Sequence, residues 1–274
     1  MSTRSSSRAL ILRSLSAIAV LLVLTAPAWA AGVSLPPAGG QYDSQLGGAY
    51  TPPPGTVIVS RDREDASAPG LYSICYINAF QTQPQDALWW TKSYPDLLLT
   101  DAGGNLVGDP NWPGEILLDT GSAGNRERLL TIVGAWIDQC AADGFDAIEA
   151  DNLDTYSRSA GALTVADNLA FAETLIARAH ALGLAFGQKN GPELGTRGRD
   201  IGFDFAIVES CQIYEECDAY TAVYGRHVLE IEYSDTPLAA FETACAARKS
   251  QISVIRRDRN LSMPGDAAYL YQTC

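Results

Sequence analysis

From residue 42 onward the chain alternates between two hydrophobic rhythms. Short runs rich in β-branched and aromatic residues, bounded by Gly, Pro, Asp or Asn, predict strands over 42–48, 56–62, 71–80, 145–152, 184–190, 203–210, 227–233 and 252–258. Longer segments between them carry apolar residues at helical spacing. From Arg126 to Asp143 the stripe is Leu129, Ile132, Val133, Trp136 and Ile137. From Thr164 to Leu182 it is Val165, Leu169, Ala172, Leu175, Ile176 and Ala179, with Gly183 placed as a C-cap. Pro237 to Lys249 predicts a third helix, with the proline in its first turn. Alternation of strand and helix implies a mainly parallel sheet. Eight strands over this length favour a closed (β/α)8 TIM-type barrel, an α/β single domain, over an open doubly wound sheet. No GxGxxG follows the first strand, which counts against a dinucleotide-binding fold.

The polar residues cluster where each strand ends. The runs close on Arg61 and Asp62; Asn78 and Gln81; Glu149, Asp151 and Asn152; Gln188, Lys189 and Asn190; Glu209; Glu230 and Glu232; Arg256 and Asp258. In a barrel these ends converge on one face, the face that carries active sites. The stretch GFDAIEADNLDTY (144–156) is the densest. A buried unpaired carboxylate is expensive, so such bunching implies a use or a partner. Period two puts Glu149 and Asp151 on one strand face, with Ile148 and Ala150 on the other, and Glu209 in phase with Ile207. Glu230 and Glu232 alternate with Leu229 and Ile231 and are read as further inward carboxylates. Two carboxyl groups flanking one bond are what glycoside hydrolysis needs. The competing reading of each is a structural ion pair with Lys189, Arg61 or Arg256, and it is the preferred one for Glu230 and Asp154. Clustered acids also suit a magnesium-dependent phosphodiesterase, but DNLD (151–154) lacks the glycine and the spaced carboxylate of an EF-hand, and no histidine stands near a strand end. Lys189 has the chemistry of a Schiff-base lysine, but carboxylates around it would keep it protonated, which favours a pairing role. Trp89, Trp90, Trp112, Tyr156, Tyr214 and Tyr220 fall in segments that follow strands, where aromatic faces stack on sugars or simply pack.

The first thirty residues read as a secretory leader: Arg4, Arg8 and Arg13, then the apolar run Ser16–Leu24, then Ala28-Trp29-Ala30 as a small-x-small cleavage site. That run is too short to cross a bilayer, so an exported protein with no membrane span after leader removal is expected. Residues 31–40 read as a linker and 41–274 as the barrel. The net charge is −13, and loss of the three leader arginines makes it more negative still. Binders of nucleic acid are basic, so nucleic acid is not an expected partner; a cationic partner is. Six cysteines in an exported chain suggest disulfides. With no CxxC and only His180 and His227, a zinc site and a Ser-His-Asp triad are both disfavoured.

The segments YDSQLGGAY, VSRDR, CYINAFQTQP, WPGEILLD, GFDAIEADNLDTYSRS, AHALGLAFGQKN, FDFAIVESCQIYEECDAY, VLEIEY and VIRRDRNL, taken in order over residues 41–274, resemble glycoside hydrolase family 114, the endo-α-1,4-polygalactosaminidases. The resemblance implies a TIM barrel, cleavage of α-1,4-linked galactosamine polymers with retention, and two catalytic carboxylates. These would be Asp151, the first residue of the DN motif, as nucleophile, and Glu209 of the ESC segment as acid/base. Many relatives carry a second acid beside that Glu, where this chain has Ser210. The substrate-binding candidates at the mouth are Asp62, Asn78, Gln81, Glu149, Asn152, Asp154, Tyr156, Lys189, Asn190 and Glu232, facing a cationic amino-sugar polysaccharide. No cofactor and no catalytic metal are expected. The alternative from another class is a barrel that binds such polymers without cleaving them.

The strand and helix assignments also suggest cysteine pairs. Cys75, in phase with Ile77, faces the helix layer if Asn78 faces the mouth, and Cys140 ends the helix packed over that strand. Cys211 and Cys217 bracket QIYEE, and Cys245 and Cys274 would tie down the C-terminal tail. The alternative leaves some cysteines free and buried, Cys75 first among them.

Overall fold

The computed structural model describes Met1 and residues 32–274; the basic, apolar and cleavage segments expected between Arg4 and Ala30 lie outside the described residues. Eight parallel strands follow in chain order: β1 (Tyr42–Gln45), β2 (Ile58–Asp62), β3 (Tyr72–Asn78), β4 (Ala147–Asp151), β5 (Ala185–Lys189), β6 (Phe205–Glu209), β7 (Val228–Tyr233) and β8 (Ser253–Arg257). Each falls inside a run expected from the sequence. The helices are α1 (Ala87–Ser93), α2 (Ala123–Ala142), α3 (Val165–Ala181), α4 (Thr196–Ile201), α5 (Cys217–Tyr224) and α6 (Leu238–Arg248). The fold is thus the expected TIM-type barrel, with irregularities. Among the described residues no helix follows β1 or β2, and α1, α4 and α5 are too short to announce themselves by periodicity.

Local signals explain where the long helices start. Ser122 caps α2 by accepting from Asn125 N at 3.0 Å. Thr164 and Asp167 form a reciprocal capping box on α3, and Gly183 follows it at φ 80°, as the C-cap reading required. α2 and α3 bury Val133, Ile137, Leu175 and Ile176 against the outward strand residues Ile77, Ile148, Ala150 and Phe186. The barrel interior holds a second apolar cluster, with Tyr42, Ile58, Ile74, Phe205, Ile207, Leu229, Ile231 and Ile255. Each such side chain contributes about 1.5–3 kcal/mol relative to exposure. A Cβ at Gly187 would stand 2.8 Å from the Phe205 ring, so the glycine is what lets that ring fill the barrel beneath the mouth. The segment read as a linker lies against this floor: Val33 and Leu35 pack on the inner cluster, and His227 Nδ1 stands 3.0 Å from the Pro36 carbonyl.

A ninth strand, β9 (Tyr271–Thr273), was not expected; it pairs antiparallel with β8, Ile255 opposite Thr273. It lies at the barrel seam, where Tyr271 donates to the Tyr42 carbonyl at 2.9 Å. Among the described residues no strand ladder joins β1 to β8. Side chains close the seam instead. Arg257, fully buried, reaches across to Asp43 at 2.7 Å and to the Ser44 carbonyl, and Ser253 donates to Gly40 O at 2.5 Å.

The three cysteine pairs are Cys75–Cys140, Cys211–Cys217 and Cys245–Cys274, with Cα separations of 6.0, 4.9 and 5.5 Å. The first joins β3 to the end of α2 across 65 residues and sits wholly in the core. A bridge closing so long a loop contributes roughly 2–4 kcal/mol. The Cys75→Ala/Cys140→Ala variant should therefore melt roughly 5–15 °C lower. A melting temperature within about 2 °C of wild type in a calorimetric scan would show that the bridge does not stabilise the barrel.

Candidate active site

The C-terminal strand ends open into a cleft of about 410 Å³. Asp62, Tyr76, Asp151, Asn152, Lys189, Asn190, Glu209 and Tyr233 line it from the strands, and Asp109, Trp112, Glu115, Asp154, Arg158 and Arg259 from the loops. Strand parity decides the strand set. On β4 the inward residues are Ala147, Glu149 and Asp151, and on β6 Phe205, Ile207 and Glu209, so each strand delivers its last inward carboxylate to the mouth.

One buried cation organises the carboxylates. Lys189 Nζ lies 2.9 Å from Glu149 Oε1, 3.5 Å from Asp151 Oδ1 and 3.7 Å from Glu209 Oε2. The nearest oxygens of Asp151 and Glu209 thus stand no farther apart than the sum of the last two contacts. That bound accommodates the retaining separation of about 5–5.5 Å and leaves only the lowest part of the inverting range of about 6.5–9.5 Å. Each carboxylate also has a private set of donors. Tyr76 donates to Asp151 Oδ2 at 2.8 Å. Tyr233 donates to Glu209 Oε1, and Asn190 Nδ2 to Glu209 Oε2 at 2.8 Å. Asn190 Oδ1 in turn accepts from Glu209 N at 3.0 Å.

The electrostatics follow from these contacts. Burial alone would raise the Asp151 carboxyl. The Lys189 charge and the Tyr76 and Asn152 hydrogen bonds outweigh it and hold the group below the usual carboxylate range. Burial works against the Lys189 ammonium, but Asp151, Glu149 and Glu209 together push it well above its ordinary value, so it stays charged. Burial raises Tyr76 and Tyr233 as well, and both remain donors.

The backbone turns sharply where the site is built. Asn152, Asn190 and Ser210, each the residue after a strand, have φ of 65°, 51° and 56°. Asn tolerates this left-handed region better than most residues.

Several candidates lie elsewhere than expected. Glu149 is fully buried beneath the cleft, with Ser60 Oγ donating to its Oε2, and it acts as the anchor for Lys189 rather than as a surface for substrate. Glu232 is a correction. On β7 the inward residues are Leu229, Ile231 and Tyr233, so Glu230 and Glu232 point out into the helix layer. There Glu230 pairs with Arg248 at 2.7 Å, and Glu232 accepts from Gln212 N at 3.0 Å, its carboxyl pushed up to about 7 chiefly by burial. Asn78 and Gln81 are buried behind the cleft wall and donate to Glu115 Oε2 at 2.9 and 2.5 Å. Tyr156 donates to Glu193, outside the lining of the main cleft. Asp154 lines the cleft and forms an ion pair, as expected, but with Arg158 at 2.7 Å rather than with Lys189, Arg61 or Arg256. Asp62 lines it and accepts from Gln83 at 2.9 Å. Of the aromatic candidates Trp112 lines the cleft, whereas Trp90 and Tyr220 are core residues.

Sequence reasoning missed Tyr76, Tyr233, Glu115, Asp109, Arg158 and Arg259. Parity was the available signal for the two tyrosines, since Tyr76 is in phase with Asn78 and Tyr233 with Ile231. The other four sit in irregular segments that offer none.

A chain with this barrel and this carboxylate pair at its mouth has the architecture of a glycosidase, and the comparisons agree. The model of glycoside hydrolase family GH114 matches residues 24–274, and the chain belongs to that family. The fold is similar to Aspergillus fumigatus Ega3, solved in complex with galactosamine, at a TM-score of 0.69 and 23% identity over 89% of this chain and 98% of that one. It is also similar to the glycoside hydrolase domain of PelA from Pseudomonas aeruginosa, at a TM-score of 0.55 and 14% identity over 83% and 98%. No curated protein matches the chain. The chain is a glycoside hydrolase.

Replacing Lys189 with Met tests the central cation. It would leave Glu149 and Asp151 buried without their partner, with an expected destabilisation of about 3–5 kcal/mol. The Asp151 carboxyl, held low in the wild type, would rise, so the acidic limb of the pH–rate profile should move to higher pH in the variant. The stability that Asp151 contributes is present above its unfolded value and is lost as pH falls through the lowered folded value. Removing Lys189 should shift that loss to higher pH also. An unchanged acidic limb, measured on folded variant, would dismiss Lys189 as the group that keeps Asp151 ionised.

Proposed function

We propose that the chain is an exported, endo-acting glycoside hydrolase that cleaves α-1,4-linked galactosamine polymers with retention of configuration. The observation that carries this reading is the convergence of Asp151 and Glu209 on one buried ammonium, within a bound that admits the retaining separation. Asp151, kept ionised by Lys189 and Tyr76, attacks the anomeric carbon. Glu209 protonates the departing glycosidic oxygen and then, as a base, activates the water that releases the glycosyl-enzyme. Tyr233 and Asn190 hold the Glu209 carboxyl in place across both steps. The galactosamine bound in the Aspergillus fumigatus Ega3 structure supports an amino-sugar substrate. Acid lining the cleft, with Asp62 and Glu115 beside the reacting pair, supports a cationic one. Three disulfides and the leader-like N-terminal sequence support export.

The same geometry argues against the alternatives. Where three carboxylates converge, Lys189 already supplies the positive charge that a divalent ion would bring. The group with metal-like spacing among the described residues is Cys211, Cys217 and Glu230, and its sulfurs are joined in a disulfide. A binding barrel without catalysis has no need of two carboxylates that converge on one buried cation, each with its own tyrosine donor.

The test is product analysis by mass spectrometry and NMR on purified galactosaminogalactan, with and without EDTA. Oligomers of retained anomeric configuration, formed equally in EDTA, are expected; loss of activity in EDTA would return the metal reading. Asp151→Asn and Glu209→Gln should each fold and lose at least about 10³-fold in rate, since general acid-base work alone supplies about 10²–10⁴. Either variant retaining near-wild-type activity would remove its residue from the mechanism.

Charge capture makes a separate claim. Added salt should depress kcat/KM steeply on deacetylated polymer and little on fully acetylated polymer, because screening acts over about 8 Å at physiological ionic strength. An equal salt response on both substrates would show that the acidic surface plays no part in recognition.

A further inference from the structure

Strand β7 holds the end of β6 from two sides. Its inward Tyr233 donates to the Glu209 carboxylate, and its outward neighbour Glu232 accepts from Gln212 N at 3.0 Å. Between those contacts Ser210 N donates to the Ile231 carbonyl at 2.7 Å. Gln212 is held a second time, from α6. Arg248 Nη2 donates to its side-chain Oε1 at 2.9 Å, while the same guanidinium meets both Glu230 oxygens at 2.8 and 2.7 Å. We infer that Glu232 and Arg248 are positioning residues for the acid/base: acting through Gln212 from behind the barrel wall, they fix the segment that leaves Glu209. The inference rests on the hydrolase reading above, in which Glu209 protonates the departing oxygen.

Two observations carry it. The first is where the acids are. Glu230 and Glu232 are fully buried in the helix layer and line neither the cleft nor the cavity beside it. Carboxyls are unfavourable there unless hydrogen-bonded, and an apolar side chain of similar size would pack without that penalty. What the cluster of Glu230, Arg248 and Glu232 achieves in return is its double hold on Gln212. The second observation is how little else attaches the segment. Residues 210–216 form turns, not helix or strand. The Cys211–Cys217 bridge, and the bonds from Tyr214 N to Ser210 O and from Glu216 N to Cys211 O, close this loop on itself. Apart from the start of α5, the hydrogen bonds that attach it to other elements, among the described residues, are those to Ile231 and Glu232 of β7 and from Arg248 of α6. A loop released from Glu232 and Arg248 can carry Ser210, and with it the Glu209 backbone, out of line with Tyr233 and Asn190. Misplacing a reacting group by about 1 Å lowers a rate by up to about 10²-fold.

The experiment compares kcat/KM on an α-1,4-galactosamine hexamer with kcat/KM on a galactosamine trimer that carries a 2,4-dinitrophenyl leaving group. The sugar leaving group needs a proton from Glu209, and dinitrophenolate departs without one, so a misplaced acid lowers only the first value. Glu209→Gln sets the scale of that difference. Glu232→Leu removes the acceptor for Gln212 N and should lose about tenfold to a hundredfold on the hexamer while staying within about twofold on the aryl trimer. Glu232→Gln keeps an acceptor and should stay within about threefold of wild type on both. Gln212→Ala, at a half-buried position, cuts only the Arg248 link and should lose about threefold to tenfold on the hexamer alone. Thermal melts accompany each variant, and Gln212→Ala decides if Glu232→Leu does not fold. Equal losses on the two substrates, or no loss on the hexamer in the folded variants, overturn the positioning role and leave the hydrolase reading intact. A wild type that cleaves neither substrate, or Glu209→Gln losing equally on both, overturns that reading and the inference with it.

Discussion

The Lys189 ammonium is the constraint on which the rest of the site depends. A buried cation is strongly unfavourable unless its partners are close and well placed, and breaking such a cluster leaves uncompensated charge in the core. Here the partners are unequal. Glu149, at 2.9 Å and fully buried, anchors the cation from below. Asp151 and Glu209 approach at 3.5 and 3.7 Å from above, close enough to feel the charge and loose enough to keep oxygen lone pairs facing the cleft. The acidic neighbours keep Lys189 protonated despite its burial.

Delivering that cluster is a matter of barrel geometry. Glu149, Lys189 and Glu209 come from β4, β5 and β6, neighbours in the sheet, and the register sets Glu149 opposite Gly187 and Gly187 opposite Phe205. A one-residue slip of β5 would send Lys189 into the helix layer and leave the acids unpartnered. The barrel therefore has to be closed and rigid, and at its weakest point it is closed by the same device. Where no ladder joins β1 to β8, Arg257 and Asp43 pair in full burial, and β9 with its Cys274 bridge to α6 braces the edge. Both ion pairs in the interior connect strands, so their desolvation is offset by Coulombic attraction and hydrogen bonds that also fix register.

How much of this the sequence disclosed depended on periodicity. The eight parallel strands and three long helices were legible because their apolar positions repeat over enough residues to distinguish period 2 from period 3.6. β9 and helices α1, α4 and α5 were not, because three residues are too few for period 2 and a helix of eight residues or fewer spans about two turns, too few to establish period 3.6. Within the site, Asp151, Glu209 and Lys189 were legible as polar residues closing apolar strands. Parity on β7 was misassigned because Leu229, Ile231, Glu230 and Glu232 alternate cleanly either way. Only Tyr233, aimed inward at Glu209, distinguishes the two settings, and a tyrosine is as acceptable in a helix-facing layer as in a barrel mouth. Glu115 and Arg158 come from loops whose path is set by hydrogen bonds to Asn78, Gln81 and Asn152, and no local pattern encodes such a path.

Those loop residues show how the cleft separates acids that have a cationic partner from one that has none. Asp109 and Asp154 share one guanidinium, Arg158, at 2.6 and 2.7 Å. Glu115 receives amide donors from Asn78 and Gln81 but no cation, and burial raises its carboxyl despite them. A carboxylate held by neutral donors, partly desolvated and near Asp151, gains most from a cation arriving from outside, because the protein supplies hydrogen bonds but no opposing charge. Glu115 is therefore electrostatically unfinished in the way that Asp109 and Asp154 are not. It faces the same cleft as Asp151 and Glu209, and under the function proposed above it would hold a substrate ammonium beside the bond those two break.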